Sequence, residues 1–275
     1  MDLPFPIAFT KMSGAGNDFV VLDHRLRYIA VAHQPEFARL ICRRRFSAGA
    51  DGLVLLEDGA GADFGWHFYN SDGSRAEMCG NAARCAARFA HVRGLAGRDM
   101  SFVTDAGIIE AHIENDMQVS VKMTEPAGFC QGAEILLDEQ PVTPYFINTG
   151  VPHAVIFTEA EQAPVTRWGA LVRHHHQFGA AGTNVNFVAR GDDDSLFVRT
   201  YERGVEAETM ACGTGIVAAA LVAERCGMVR LPVAVQSAGG SRLEVSADTG
   251  GVFLRGEARF IYDGSLSDEA FSWDG

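Results

Sequence analysis

Two alanine-rich helical segments, each opening on a Cys-Gly pair, constrain this chain more than any other feature. One reads Ala76-Glu77-Met78-Cys79-Gly80-Asn81 and continues to Val92, just before Gly94. The other reads Glu208-Thr209-Met210-Ala211-Cys212-Gly213-Thr214 and continues to Arg225, just before Gly227. Gly just past the last periodic residue is a helix stop. Both segments are small or apolar on most faces, and helices of that kind are buried. A buried helix needs a shell around it. The shell is legible as short β-rich runs bounded by Gly, Asp or Asn: 19–22, 53–56, 67–69, 119–121, 154–157, 197–201, 231–236, 243–246 and 252–254.

The two segments sit in a repeated order. Asp51, in a Gly-rich turn before a strand, lies 28 residues before Cys79, and Asn184, also in a turn before a strand, lies 28 before Cys212. Further upstream, Asn17 precedes Cys79 by 62 residues and Val151 precedes Cys212 by 61. Matched order of this kind suggests a duplicated domain. Coincidence is the competing reading, because there are two copies and little identity between them. Duplication predicts two strand-rich layers, each wrapped on one central helix. Pseudo-symmetry then sets the two Cys-Gly helix starts face to face across a cleft.

That arrangement suits one kind of chemistry. Inverting an amino acid's α-carbon needs a base on one side and an acid on the other. A thiol at a helix N-terminus is held toward thiolate by the dipole and the free N–H groups. The same N–H groups, on Gly80, Asn81, Gly213 and Thr214, form an anion site for a carboxylate on which negative charge builds. Gly at 80 and 213 lets a substrate come close to the backbone. Against this, a cysteine is often only a small buried hydrophobe. That reading suffices for one such cysteine but fits poorly for two in matched motifs. Cys42, Cys130 and Cys226 lack the context and read as structural. Cys85 is six residues beyond Cys79, a spacing that does not bind zinc.

Composition narrows the partners. The chain has 275 residues, enough for two domains, and 47% apolar residues, enough for full cores. Its net charge of −12 argues against nucleic acid and against an anionic membrane surface. The run Arg43-Arg44-Arg45 reads as a solvated face after a helix-like stretch at 37–41. Residues 1–12 show neither a basic n-region nor an apolar h-region, and the longest apolar run, 216–223, is too short for a bilayer. A cytoplasmic protein with six reduced thiols is expected. Lys11 and Lys122 are the only lysines, which disfavours a Schiff-base cofactor. His174-His175-His176 reads as a loop. The acidic tail from Asp263 is expected either to be disordered in part or to fold back on the first domain.

At its motifs the sequence resembles the diaminopimelate epimerases. The matching segments are Lys11-Met12-Ser13-Gly14-Ala15-Gly16-Asn17-Asp18-Phe19, Gly49-Ala50-Asp51-Gly52, Phe68-Tyr69-Asn70-Ser71-Asp72-Gly73-Ser74 and Met78-Cys79-Gly80-Asn81-Ala82-Ala83-Arg84-Cys85. They continue with Pro152-His153, Thr183-Asn184-Val185-Asn186-Phe187, Tyr201-Glu202-Arg203-Gly204 and Glu208 through Gly215. The resemblance implies an α/β fold of the α+β type. It has two pseudo-symmetric domains, each an antiparallel barrel-like sheet around a central helix, with the active site in the interdomain cleft. The expected domains are 1–117, with the tail 263–275 packed back on it, and 118–262.

The resemblance implies interconversion of LL- and meso-2,6-diaminopimelate without pyridoxal phosphate or any other cofactor, in lysine and peptidoglycan precursor synthesis. A homodimer is implied as well. Carried over by position, Cys79 and Cys212 are the acid–base pair. Gly80, Asn81, Gly213 and Thr214 hold the reacting carboxylate. Asn70 and Glu202 lie near the α-amino group, and Asn17, Asn184 and Arg203 grip the distal end. A guanidinium suits a carboxylate there because it pairs with it bidentately. His153 and Glu208 sit near the thiols and help set their protonation. Taken alone, Asn17 also reads as a turn residue and Arg203 as a structural ion pair.

Three positions depart from the commonest pattern: Val151, Gly52, and the Glu206-Ala207 loop, one residue longer than in some members. All three bear on distal recognition. The alternatives are a proline or hydroxyproline racemase of the same fold, whose motifs around the cysteines differ, and a binding protein or phenazine-type isomerase, which lacks the pair. A redox dithiol protein is a further class, and the short Cys-X-X-Cys spacing it needs is missing between these two thiols.

Overall fold

Hydrophobic runs without polar alternation belong to strands covered on both faces. In the structure, a computed structural model that describes residues 3–271, this is what positions the helices. The chain opens with β1 (Ile7–Gly14) and β2 (Asn17–Asp23), crosses through α1 (Gln34–Ile41), and continues with β3 (Gly52–Glu57) and β4 (Phe64–Asn70). After α2 (Gly80–Val92) come β5 (Asp99–Thr104), β6 (Gly107–Ile113) and β7 (Gln118–Lys122). In β2 and β3, Phe19, Val21, Val54 and Leu56 pack toward α2. The alternate residues Val20, Leu22, Leu53 and Leu55 pack toward Phe37, Ala38 and Ile41 of α1. A period of two thus serves two cores at once.

The same plan then recurs. β8 (Ala127–Gln131), β9 (Ile135–Leu137), β10 (Gln140–Val142), β11 (Tyr145–Asn148) and β12 (Pro152–Phe157) lead to α3 (Val165–Arg173). Next come β13 (Asn184–Arg190), β14 (Leu196–Glu202), β15 (Ala207–Thr209) and α4 (Gly213–Arg225). The strands β16 (Val233–Ser237), β17 (Arg242–Asp248), β18 (Gly251–Glu257) and β19 (Arg259–Leu266) finish it. The chain divides into one compact unit of Met1–Val121 with Gly256–Gly275 and another of Lys122–Arg255.

The first unit's strands pair in the order β19-β1-β2-β3-β4-β5-β6-β7. The second unit's pair as β8-β11-β12-β13-β14-β16-β17-β18. Position for position, the pairings have the same sense. One expectation needs correcting: the sheets are mixed, not wholly antiparallel. β2–β3 and β4–β5 are parallel in one unit, and β12–β13 and β14–β16 in the other. In each case a helix lies between the paired strands in sequence, and a crossover through a helix returns the chain in the same direction.

The unit boundaries also differ from the expected ones. β19 follows the second unit in sequence yet runs antiparallel to β1, from Ile7↔Leu266 to Ser13↔Arg259. Its return carries Phe271 onto Phe37, with ring centroids 5.0 Å apart. Of the tail, residues 272–275 lie outside the described residues.

Each central helix is enclosed by its own sheet. α2 touches β1, β2, β3 and β6, and α4 touches β11 to β14, β16 and β17. Alanine dominates both helices because the surrounding strands leave room for little else. A Cβ on Gly14 at the end of β1 would lie 2.7 Å from the Asn81 carbonyl oxygen and 3.0 Å from Cys85 Sγ. α3, nine residues with Gly169 at its centre, gave no clear signal in the sequence. Gly169 is needed because a side chain there would strike Tyr201 at 2.4 Å.

Candidate active site

Each unit carries one half-site built on a helix start. In the first, Cys79 is the N-cap of α2, in extended conformation (φ −144°, ψ 116°), with no side-chain cap hydrogen bond. Its carbonyl accepts the Ala83 N–H at 2.8 Å, the first bond of the helix. The N–H groups of Gly80, Asn81 and Ala82 therefore have no intrahelical acceptor.

Asn81 anchors the half-site to the sheet. Its Nδ2 donates to Asn17 Oδ1 at 2.8 Å, and Asn17 Nδ2 donates to Asp51 Oδ2 at 3.0 Å. Behind them stands a charge cluster. Arg44 donates to Asp18 Oδ1 at 2.6 Å and to Asp51 Oδ1 at 2.9 Å, and Lys11 Nζ lies 2.8 Å from Asp18. Burial pushes the Asp18 carboxyl up, but hydrogen bonds from Arg44 and Lys11 outweigh it and hold the group below the usual carboxylate range. Asn70 ends β4 opposite Gly52, in a turn where its Nδ2 donates to Ser74 Oγ at 2.9 Å. The Ser71 N–H bonds the Asp51 carbonyl. The structure thus gathers Asn17, Asn70, Asn81 and Cys79 at one end of the unit.

The second half-site repeats the first. Cys212 is the N-cap of α4, again extended (φ −116°, ψ 109°) and again without a side-chain cap bond. Its carbonyl accepts the Ile216 N–H at 2.9 Å, which leaves Gly213, Thr214 and Gly215 without intrahelical acceptors. Thr214 Oγ1 lies 3.5 Å from Cys212 Sγ and 3.0 Å from His153 Nε2. His153 is wholly buried; burial and the nearby Arg203 charge push its pKa down to about 3. Glu202, at the end of β14, is pushed up by burial.

Asn184 is bonded at both ends of its amide within the unit. Its Oδ1 accepts the Arg203 N–H at 2.8 Å, and its Nδ2 donates to the Pro152 carbonyl at 3.1 Å. The guanidinium of Arg203 has no carboxylate partner among the described residues. Glu208 forms a two-pronged pair with Arg199, both contacts at 2.7 Å, and Arg199 also holds the carbonyls of Ala160, Glu161 and Ala163. A carboxylate committed to a guanidinium braces the strand before Cys212, and no motif or spacing pointed to Arg199 as its partner.

Two other residues that matter stand within the quoted motifs but carry no role in the sequence reading. Arg84 is wholly buried one turn into α2. Asn186 sits two residues beyond Asn184 on the same face of β13, and the Asn-X-Asn spacing was the available signal. Burial pushes the thiols of Cys42 and Cys85 up to about 12, so neither can serve as a base near neutral pH. Among the described residues, no group of three or more His, Cys, Asp or Glu side chains is placed to hold a metal ion. No helix of the described residues is long and apolar enough to cross a membrane.

Comparison with known proteins bears on the family and the fold. Residues 9–128 and 145–261 match the family model described as diaminopimelate epimerase. The diaminopimelate epimerase of Aquifex aeolicus is 43% identical over 279 residues, covering 96% of this chain and 99% of that protein. That of Archaeoglobus fulgidus is 39% identical, covering 98% and 99%. Among solved structures, a phenazine biosynthesis protein of the PhzF family from Bacillus anthracis superposes with a TM-score of 0.70 at 13% identity. It covers 96% of this chain and all of that one. A probable proline racemase from Agrobacterium radiobacter gives 0.67 at 16%, covering 97% and 94%. These two show a shared fold. With matching helix starts in both units and close relatives over nearly its full length, the chain belongs to the diaminopimelate epimerase family.

Proposed function

We propose that this protein interconverts LL- and meso-2,6-diaminopimelate with Cys79 and Cys212 as its two bases and no cofactor. The observation that carries the reading is the pair of cysteines at the N-caps of buried helices, in the same extended conformation, one per repeat. A thiol with a pKa of ~8.5 is only a few per cent thiolate at neutral pH; one lowered to ~7 is about half thiolate. A helix start does that work, and both cysteines occupy one.

The proton balance is simple. The thiolate of one cysteine takes the α-proton and becomes a thiol. The thiol of the other gives its proton to the opposite face and becomes the thiolate. The enzyme ends in the mirror protonation state, ready for the reverse reaction. The electron pair left on the α-carbon spreads into the carboxylate, which the N–H groups of Gly80, Asn81, Gly213 and Thr214 stabilise without reorganising. Asn70 and Glu202 receive the α-amino group. Arg203, with Asn17 and Asn184, receives the distal amino-acid end. Both asparagines reach that end through the backbone segments they brace, because their side-chain amides are already bonded. Glu208, through Arg199, holds the approach to Cys212 in place. Lys11 is tied to Asp18 and to the Gly49 carbonyl, a poor setting for a Schiff base. A homodimer working in the cytoplasm, in lysine and peptidoglycan precursor synthesis, completes the proposal.

The test is incubation of the reduced protein with LL-diaminopimelate in D2O, followed by NMR. Deuterium at the α-carbon together with meso product is expected. A folded, reduced protein that exchanges no α-proton overturns the reading.

A further inference from the structure

The Cys212 half-site contains a chain of hydrogen bonds whose direction is set at one end. Asn186 on β13 is wholly buried. One polar end of its side chain faces the Ala154 carbonyl at 3.1 Å, and the other faces the Thr200 hydroxyl at 3.0 Å. A carbonyl can only accept, so the amide nitrogen must be the end at Ala154. The same nitrogen lies 3.0 Å from His153 Nδ1. Nδ1 must then present its lone pair, and the ring proton is on Nε2. Nε2 lies 3.0 Å from Thr214 Oγ1, so it donates there. The Thr214 hydrogen is left to point at Cys212 Sγ, 3.5 Å away.

We infer that Asn186 is a positioning residue for the proposed proton transfer: it locks His153 in the Nε2–H tautomer and so turns the Thr214 hydroxyl onto the sulfur of Cys212. No proton leaves any member of the chain. A hydroxyl aimed at sulfur stabilises the thiolate more than the thiol, because charge strengthens the bond. The device rests on the two-thiol reading for its purpose, but its parts are measurable without turnover.

Two further features fit. A Cβ on Gly215 would come 2.4 Å from Asn186 Oδ1, so the helix start is shaped to admit this amide. His153 stays neutral at neutral pH, since burial and Arg203 disfavour the imidazolium. Two ionisable members of the chain are His153 on β12 and Cys212 itself, and the charge of Arg203, just beyond β14, acts on His153; Asn186, Thr200 and Thr214 are neutral. The first half-site is built differently at the matching position. There Asn81, at the position of Thr214, turns to Asn17.

The experiment reads the tautomer and the thiol separately. Nitrogen-15 spectra of the substrate-free protein should show His153 with a protonated Nε2 and a bare Nδ1. The rate of iodoacetamide labelling of Cys212, followed by peptide mass spectrometry across pH, should show its midpoint rise by about one unit in Thr214→Val. Thr214→Ser should restore it. Asn186→Leu, if folded, should give mixed His153 tautomers and a raised Cys212 midpoint. The inference is overturned by an Nδ1–H ring in the natural protein, or by an unchanged Cys212 midpoint in Thr214→Val. A folded Asn186→Leu protein with the tautomer and midpoint both intact also overturns it. Should Asn186→Leu fail to fold, the natural protein's tautomer and the Thr214 pair still decide. None of these readings depends on whether diaminopimelate is turned over.

Discussion

Arg84 Nη2 donates to Asn81 Oδ1 at 2.5 Å, inside a core where Arg84 is wholly buried. Its Nε and Nη1 have no hydrogen-bond partner among the described residues. Burial pushes the guanidinium pKa down, and the neighbouring thiols of Cys85 and Cys79 oppose this only when ionised. A buried cation without a carboxylate is costly, and replacing such a group by an apolar one of similar size is often neutral or stabilising. Arg84→Met should therefore leave the melting temperature unchanged or higher. The released Asn81 amide should lower kcat by about tenfold, a loss of about 1.4 kcal/mol of transition-state stabilisation. Calorimetry beside an epimerisation assay checks both, and a large fall in melting temperature would count against a non-structural role.

Cys79→Ala and Cys212→Ala should each abolish epimerisation, since one base cannot both take and return the proton on opposite faces. Cys85→Ala removes a buried sulfur from α2 and should cost stability, on the order of 1–2 kcal/mol, while turnover persists. Chemical denaturation and an assay for meso product separate the cases. Near-normal turnover in either of the first two variants refutes the two-base scheme.

His153 makes stability depend on pH with a definite sign. Its folded pKa, about 3, lies below the ordinary 6.5, so the unfolded chain binds the proton more readily. Stability from this group is complete above pH 6.5 and is lost as pH falls toward 3. The slope approaches about 1.4 kcal/mol per pH unit within that window. Urea unfolding between pH 4 and 7 should show it, and His153→Gln should flatten it. Equal slopes in the two proteins would sink the prediction.

Gly14→Ala tests how tightly β1 is packed on α2. The added methyl meets the Asn81 carbonyl closer than a real Cβ tolerates and presses tightly on Cys85 Sγ. Overpacking of this kind costs roughly 1–3 kcal/mol. Because the atom struck lies in the first turn of α2, kcat should fall along with stability. A variant as stable and active as the parent would show that the helix start can shift freely.

How much of this was legible in the sequence varies by element for physical reasons. β2 and β3 were readable because burial on both faces leaves unbroken apolar runs. β8 was not, because all five of its residues are exposed and carry no hydrophobic period. α2 and α4 announced themselves through alanine content and glycine stops. α3 is short, is interrupted by Gly169, and draws its stability from packing on β13 and β14. The pairing of β19 with β1, two ends of the chain, has no local signal at all.

The sequence by itself determined that two thiols open two buried helices in a repeated frame, because capping, periodicity and spacing are local properties. Only the tertiary structure decided what stands behind each thiol. Behind α2 it is the Arg84–Asn81–Asn17–Asp51 chain, and beside Cys212 the Asn186–His153–Thr214 chain. Their members are up to 67 residues apart in sequence, as with Asn17 and Arg84. Strand register and the seating of each helix on its sheet bring them within hydrogen-bonding distance. A hydrogen bond needs atoms about 3 Å apart at a suitable angle, and no local pattern specifies that.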